Sequence, residues 1–187
     1  FDDAVKLCEE NNKRPVMALR VNNLKITTND FEEYLKEKNL FYRKGNYLDN
    51  FFTTKTMSKI YTDSYFKEGF FSIQDESAGL AAKLVSPEKT DLILDVCAAP
   101  GGKTAFMSEL MNNEGKIIAV DKYLSRIEVM NRNLERLGVK NAETIHDDIS
   151  EPKSVLLKET LIGKADKILV DAPCSGLGVL SKKPDIK

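Results

Sequence analysis

Two thiols, Cys97 and Cys174, and the carboxylates Asp121, Asp148 and Asp171 all fall at the ends of predicted strands. In an α/β sheet, ligands bind at the carboxyl ends of the strands. The densest stretch is Asp95-Val96-Cys97-Ala98-Ala99-Pro100-Gly101-Gly102-Lys103-Thr104, which follows the apolar Leu92-Ile93-Leu94 and precedes a run of helix formers. Strand, small-residue turn and helix together present a helix N-terminus to a ligand. Ala98, Ala99, Gly101 and Gly102 carry little side chain, so a ligand can approach the backbone, and Pro100 stiffens the turn. A P-loop needs Gly where Cys97 stands, and Gly-x-Gly-x-x-Gly is missing, which makes a dinucleotide pyrophosphate a poor fit. Asp121 lies about 20 residues beyond the glycines, where such folds hold ribose hydroxyls; capping the next helix is its competing role. Asp147-Asp148 adds a carboxylate able to accept from an exocyclic amine, against the plainer role of a turn residue. Cys174, in Asp171-Ala172-Pro173-Cys174-Ser175-Gly176, is a candidate nucleophile or acid–base group if its pKa is lowered. A buried structural Cys is the alternative. The lone His146 reads as an ordinary strand-end residue.

The elements that must position these groups alternate. Strands are predicted at Asp91–Val96, Lys116–Val120, Ala142–His146 and Lys167–Val170, with helices at Thr104–Asn112, Leu124–Leu137 and Ser154–Leu161 between them. Gly138 suits the C-terminus of the second helix and Pro152 the start of the third. The alternation predicts a parallel sheet covered on both faces. The fourth strand, apolar on both faces at Ile168-Leu169-Val170, is expected to pair on both sides. Upstream, residues 1–14 predict a helix with Ala4, Val5, Leu7 and Cys8 as its apolar face. Then come a strand at Val16–Val21, an amphipathic helix at Phe31–Lys38 and an aromatic-rich stretch of short strands. A strand at Phe70–Asp75 leads into a helix at Glu76–Val85. Two units follow: a small α/β domain over 1–68 and a larger one over 69–187.

The 187 residues are 42% hydrophobic and 30% charged, as in an ordinary globular protein. Apolar runs are too short for a membrane span, and no signal-like segment opens the chain. The three cysteines form no Cys-x-x-Cys pair, which favours reduced thiols in a cytoplasm over disulfides or zinc. A net charge of −1 provides no global attraction for a polyanion, so a nucleic acid would have to meet a local patch. Lys13, Arg14, Arg20, Lys25, Arg43, Lys44 and the Lys182-Lys183 tail are the candidates. The chain starts at Phe1 without Met and stops at Lys187 inside a charged stretch, as an excised piece would.

Asp95–Thr104, Asp171–Gly176 and Lys183-Pro184-Asp185-Ile186-Lys187 resemble the RNA cytosine-5 methyltransferases of the Sun/Fmu family, nearest its branch acting on small-subunit ribosomal RNA. The likeness continues through Ile73–Ala78 and Asn11–Pro15, so it spans nearly the whole chain. It implies an incomplete Rossmann-like methyltransferase fold behind a small RNA-contacting domain, with S-adenosylmethionine as cofactor and no metal. Cys97, Ala98, Ala99, Pro100, Gly101, Gly102 and Lys103 would cradle the amino acid end, Asp121 the ribose, Asp148 the adenine amine, and Asp171 the methionine side. The implied partner is ribosomal RNA, the implied parent protein a cytoplasmic monomer.

In that family a cysteine thiolate adds to carbon 6 of cytosine, which makes carbon 5 nucleophilic towards the methyl group. A base then removes the proton from carbon 5, and elimination frees the thiol. The nucleophile belongs to a Thr-Cys-Ser element, and the Cys of Pro-Cys acts in product release. This sequence has no Thr-Cys-Ser. The resemblance therefore makes Cys174 the release residue, with the nucleophile expected beyond Lys187 and the piece inactive by itself. A transfer RNA methyltransferase and a non-catalytic RNA-binding assembly factor are the alternatives.

Overall fold

A computed structural model describes residues 1–12, 16–55, 60–151, 154 and 163–172. Two four-stranded sheets organise them. The first consists of β1 (Met17–Val21), β2 (Tyr42–Lys44), β3 (Phe51–Thr54) and β4 (Phe71–Ile73), in the antiparallel order β2-β3-β1-β4. Helix α2 (Thr28–Glu37) starts at Thr27, whose hydroxyl accepts from the backbone N–H of Asp30, and it lays Phe31, Tyr34 and Leu35 onto this sheet. They meet Leu19, Val21, Phe52 and Phe71 in an aromatic-rich core. β4 follows the short helix α3 (Ser64–Lys67) and lies past residue 68, the expected end of the smaller unit. It pairs with β1 and then runs directly into helix α4 (Glu76–Leu84).

Helix α1 (Asp2–Asn12) forms as its periodicity predicts, but the expected apolar face is a correction: Ala4, Val5, Leu7 and Cys8 are all exposed. Periodicity selects a face without supplying a partner for it. Among the described residues, nothing buries this one.

The second sheet is parallel: β5 (Leu92–Val96), β6 (Lys116–Asp121), β7 (Ala142–His146) and β8 (Lys167–Val170), in the order β7-β6-β5-β8. Helices α5 (Gly102–Leu110) and α6 (Leu124–Leu137) link its strands, and α6 closes on Gly138 at φ 77° as predicted. α4 and α5 cover one face with Ala82, Phe106, Met107 and Met111 over Ile93 and Ile117. On that same face, α6 adds Ile127, Met130, Leu134 and Leu137. Residues alternate along each strand, so Val96, Ile118 and Val120 form a separate cluster on the opposite face. The helix expected at Ser154–Leu161 and Pro152 fall outside the described residues, apart from Ser154 itself, a buried residue that donates to Asp147. β8 is terminal among the described strands.

Chain order reverses beside β5: β6 and β7 lie to one side, β8 to the other. Such a switch point opens a crevice at the strands' carboxyl ends. The turn after β5 and Asp171 after β8 flank it.

Specific polar contacts join the two layers. Lys25 Nζ donates to the carbonyls of Glu68 (2.7 Å) and Arg136 (2.8 Å), and Asn22 Nδ2 donates to those of Gly69 and Leu137 (both 2.8 Å). A cation and an amide thus satisfy carbonyls left free at the C-terminus of α6. Arg20 on β1 reaches across to Glu109 on α5 and stacks over Phe106 at 4.8 Å. Glu76 at the start of α4 accepts from the backbone N–H groups of Asn46, Tyr47 and Leu48, pinning the loop before β3. Burial pushes its carboxyl up, but the three donors more than offset this and hold it below the usual range.

Candidate functional site

Between β5 and α5 the chain must turn sharply and still free the helix N-terminus. Cys97 takes φ 71°, a costly value for a side chain with a Cβ, and Gly101 takes φ 91°. A Cβ on Gly101 would also lie 2.8 Å from Met130 Cγ, so packing against α6 imposes Gly as firmly as conformation does. No side chain caps α5. The turn is held from outside: Arg126 donates to the Ala99 carbonyl, and Asn133 Nδ2 donates to that of Pro100 at 3.1 Å. Both lie on α6, two turns apart.

Asp121, 2% exposed, ends β6. One carboxylate oxygen accepts from the N–H of Ala99 (3.1 Å) and lies 3.4 Å from Arg126; the other accepts from the N–H of Tyr123 (3.1 Å). Asp121 thus does not cap α6, whose N-cap is Tyr123 with no side-chain hydrogen bond; it makes a turn just ahead of the helix and ties the β5–α5 turn to β6. Asp148 accepts from the backbone and hydroxyl of Ser150 through one oxygen, a turn arrangement, and pairs with Lys122 at 2.7 Å through the other. The Lys122 ammonium, then the Ser150 donors, hold its carboxyl at about 2, so it is anionic at neutral pH. Asp171 pairs with Lys103 across the switch point. His146 is an exposed strand-end residue that contacts the Lys122 carbonyl.

Two cavities adjoin here, both lined by Cys97. The larger, about 310 Å³, is bordered by Asp121, Tyr123, Arg126, Asp148, Ile149 and Val170. Bordering the smaller, about 210 Å³, are Gln74, Asp95, Ala98, Ala99, Pro100, Gly102, Lys103 and Asp171. Every rim residue singled out in the sequence lines one or the other, except Gly101, which packs on α6, and Cys174, which lies outside the described residues. The Cys97 thiol is pushed up by burial, then by Asp121 and Asp95. It is a protonated wall residue rather than a thiolate. Among the described residues, no group of three or more His, Cys, Asp and Glu is placed to hold a metal.

Asp95 and Arg126 belong to the site beyond the residues that the sequence marks. Asp95, 1% exposed, accepts from Thr104 Oγ1 at 2.6 Å, and burial pushes its carboxyl up to about 6. It opens the turn motif, and an acid inside a buried strand is itself a signal. Arg126 carries no such mark in the sequence.

Of the basic residues offered for nucleic acid, Arg20 and Lys25 need correcting. Arg20 is 1% exposed and neutralised by Glu109, and Lys25 is spent on helix carbonyls. Arg43 and Lys44 are exposed on β2 and border, with Val16, Phe41 and Lys55, a groove of about 240 Å³. Lys44 also pairs with Glu32 at 2.8 Å. Lys13, Arg14, Lys182 and Lys183 lie outside the described residues.

Residues 82–187 match the family described as 16S rRNA methyltransferase RsmB/F, and residues 2–56 match the RsmF/B-like ferredoxin-like domain. The probable ribosomal RNA small subunit methyltransferase B of Bacillus subtilis is 34% identical over the whole chain, which covers 41% of that relative. A tRNA (cytosine(72)-C(5))-methyltransferase of Pyrococcus horikoshii is 41% identical over 63% of the chain and 28% of its own length. The crystal structure of a methyltransferase homolog protein from Pyrococcus horikoshii superposes with a TM-score of 0.81 at 31% identity, over 98% of this chain and 59% of that one. The chain spans about two fifths of the length of the ribosomal RNA relatives it matches. The mixed α/β architecture expected from the sequence is the one observed.

Proposed function

The chain belongs to the RsmB/F family of 16S rRNA methyltransferases, and from that premise we propose that it binds S-adenosylmethionine for methylation of carbon 5 of a cytosine in small-subunit ribosomal RNA. One observation carries the proposal. Turn residues Cys97–Pro100, Gly102 and Lys103 and the acids Asp121, Asp148 and Asp171, scattered over the chain, converge on two adjoining cavities at the switch point of a parallel sheet. The donor set suits this cofactor. Uncapped N–H groups of α5 and Lys103 face the smaller cavity and fit a carboxylate, while Asp121 and Asp148 offer acceptors to a ribose and an amine in the larger. When bound, S-adenosylmethionine supplies an electrophilic methyl group.

This chain's own residues bind and orient. Arg126 and Asn133 fix the turn, Asp121 ties it to β6, and the protonated Cys97 forms a wall between the cavities without competing as a nucleophile. The covalent chemistry falls to a thiolate that adds to carbon 6 of the cytosine, in a Thr-Cys-Ser element outside these residues, with Cys174 assisting release. RNA contact falls to the β2 groove, where Arg43 and Lys44 offer charge and Phe41 a stacking face. Ribosomal RNA is favoured over transfer RNA because the ribosomal relatives match both layers of the chain, whereas the transfer RNA enzyme matches 63% of it.

In a form extended to the length of the relatives, Cys174→Ala is expected to accumulate an RNA–protein adduct that survives denaturing electrophoresis. Methyl transfer by residues 1–187 alone, lost on Cys174→Ser, would instead make Cys174 the nucleophile.

A further inference from the structure

We infer that Gln74, presented from the end of the antiparallel sheet, donates its side-chain amide to the carboxylate of the amino acid moiety bound at the N-terminus of α5, and that Arg20 positions it. The inference rests on the S-adenosylmethionine reading above.

Gln74 follows β4, is 8% exposed, and borders the smaller cavity with Gly102, Lys103 and Asp171. Its backbone N–H donates to the Ala18 carbonyl on β1 at 3.1 Å, so the residue is anchored to the antiparallel sheet. Arg20 Nε donates to its side-chain oxygen at 2.6 Å. A guanidinium has no acceptor, so this contact settles which way the amide faces. The oxygen is bound to Arg20, and the NH₂ group points away from it. Arg20 itself is fixed by Glu109 and by the Phe106 ring. The NH₂ group lies over the first turn of α5, where a Cβ on Gly102 would come within 3.3 Å of it. Among the described residues it has no acceptor.

The NH₂ group of this mostly buried side chain opens onto the smaller cavity, where a ligand can supply the acceptor it lacks. It converges with the uncapped N–H groups of α5, and together they form a donor set for a carboxylate. Asp95 and Asp171, bordering the same cavity, are acceptors suited to the ammonium of the same zwitterion. Arg20 touches no ligand; it is a positioning residue that makes the antiparallel sheet part of the cofactor site.

The variant that probes the donor is Gln74→Glu, which keeps an acceptor for Arg20 but puts a carboxylate oxygen, unable to donate and repelling an anion, where the NH₂ group stood. Calorimetry of the 187-residue chain is carried out with two probes, S-adenosylhomocysteine and 5′-methylthioadenosine, which lacks the amino acid. Gln74→Glu is expected to weaken S-adenosylhomocysteine at least about tenfold, the scale of one lost hydrogen bond to a charged group. The affinity for 5′-methylthioadenosine should stay within twofold of wild type, which shows that the fold and the nucleoside side are intact. An equal loss for both probes, or no loss for either, overturns the role of Gln74 while leaving the cofactor reading standing. A wild-type chain that binds neither probe overturns the cofactor reading, and this inference with it.

Discussion

Arg20→Met is expected to lower the free energy of unfolding by about 3–5 kcal/mol, and Glu109→Met to do the same. The pair joins β1 of the antiparallel sheet to α5 beneath the parallel one, with side chains 1% and 5% exposed. Removing either partner leaves a charge in a place water barely reaches. For Arg20→Met, the stranded group is Glu109, whose carboxyl burial already pushes up against the opposing pull of Arg20. The donors left to Glu109, the backbone N–H of Asn23 and Asn50 Nδ2 at 3.2 Å, are neutral and too weak a substitute for a guanidinium. For Glu109→Met it is Arg20 that is stranded. A typical domain has only about 5–15 kcal/mol in hand, so either change alone is severe. The double replacement should recover most of the loss, because well-packed apolar side chains tolerate such a site. Urea unfolding of the four proteins measures all of this. Single variants within about 1 kcal/mol of wild type would mean the two layers are held chiefly by other contacts, the Lys25 and Asn22 clamps on α6 among them.

Asp121→Ala should weaken S-adenosylhomocysteine by about 1.5–3 kcal/mol, the range for hydrogen bonds to a charged group. The change also frees the N–H groups of Ala99 and Tyr123, so a loss of affinity alone does not establish contact with the ribose. Removing the ribose hydroxyl from the ligand separates the two effects. Wild type should bind the 2′-deoxy analogue about tenfold more weakly than the parent ligand, and Asp121→Ala should bind the two equally. If the variant still discriminates between them, Asp121 acts only by holding the turn.

The parallel layer was largely legible in the sequence, because its signals are local. Helix Leu124–Leu137 has both predicted ends, since its apolar period runs from Ile127 to Leu137 and Gly138 stops it. The rim acids were legible because strand ends and the glycine turn mark where a ligand sits. Groups whose roles depend on distant partners were not. In the sequence Arg20 looks like any basic residue available to a phosphate; its carboxylate partner is 89 positions away, and no pattern on β1 reveals it. Lys25 was misleading for the same reason, its carbonyl partners being 43 and 111 positions off. β4 showed its strand character in Phe71-Ser72-Ile73, but its pairing with β1 is a matter of sheet order, which composition does not carry. Gln74 illustrates the limit most clearly. Only the folded chain brings Arg20 to one end of its amide and Gly102 to the other.

The most direct test of the account is bisulfite sequencing of ribosomal RNA from the source strain, with and without the gene encoding this chain. Unconverted cytosines mark 5-methylcytosine. The account predicts that a small-subunit cytosine protected in the parent strain becomes fully convertible on deletion, and that protection returns when the gene is restored but not when it carries Asp121→Ala. A conversion pattern identical in both strains, across ribosomal and transfer RNA alike, would contradict it.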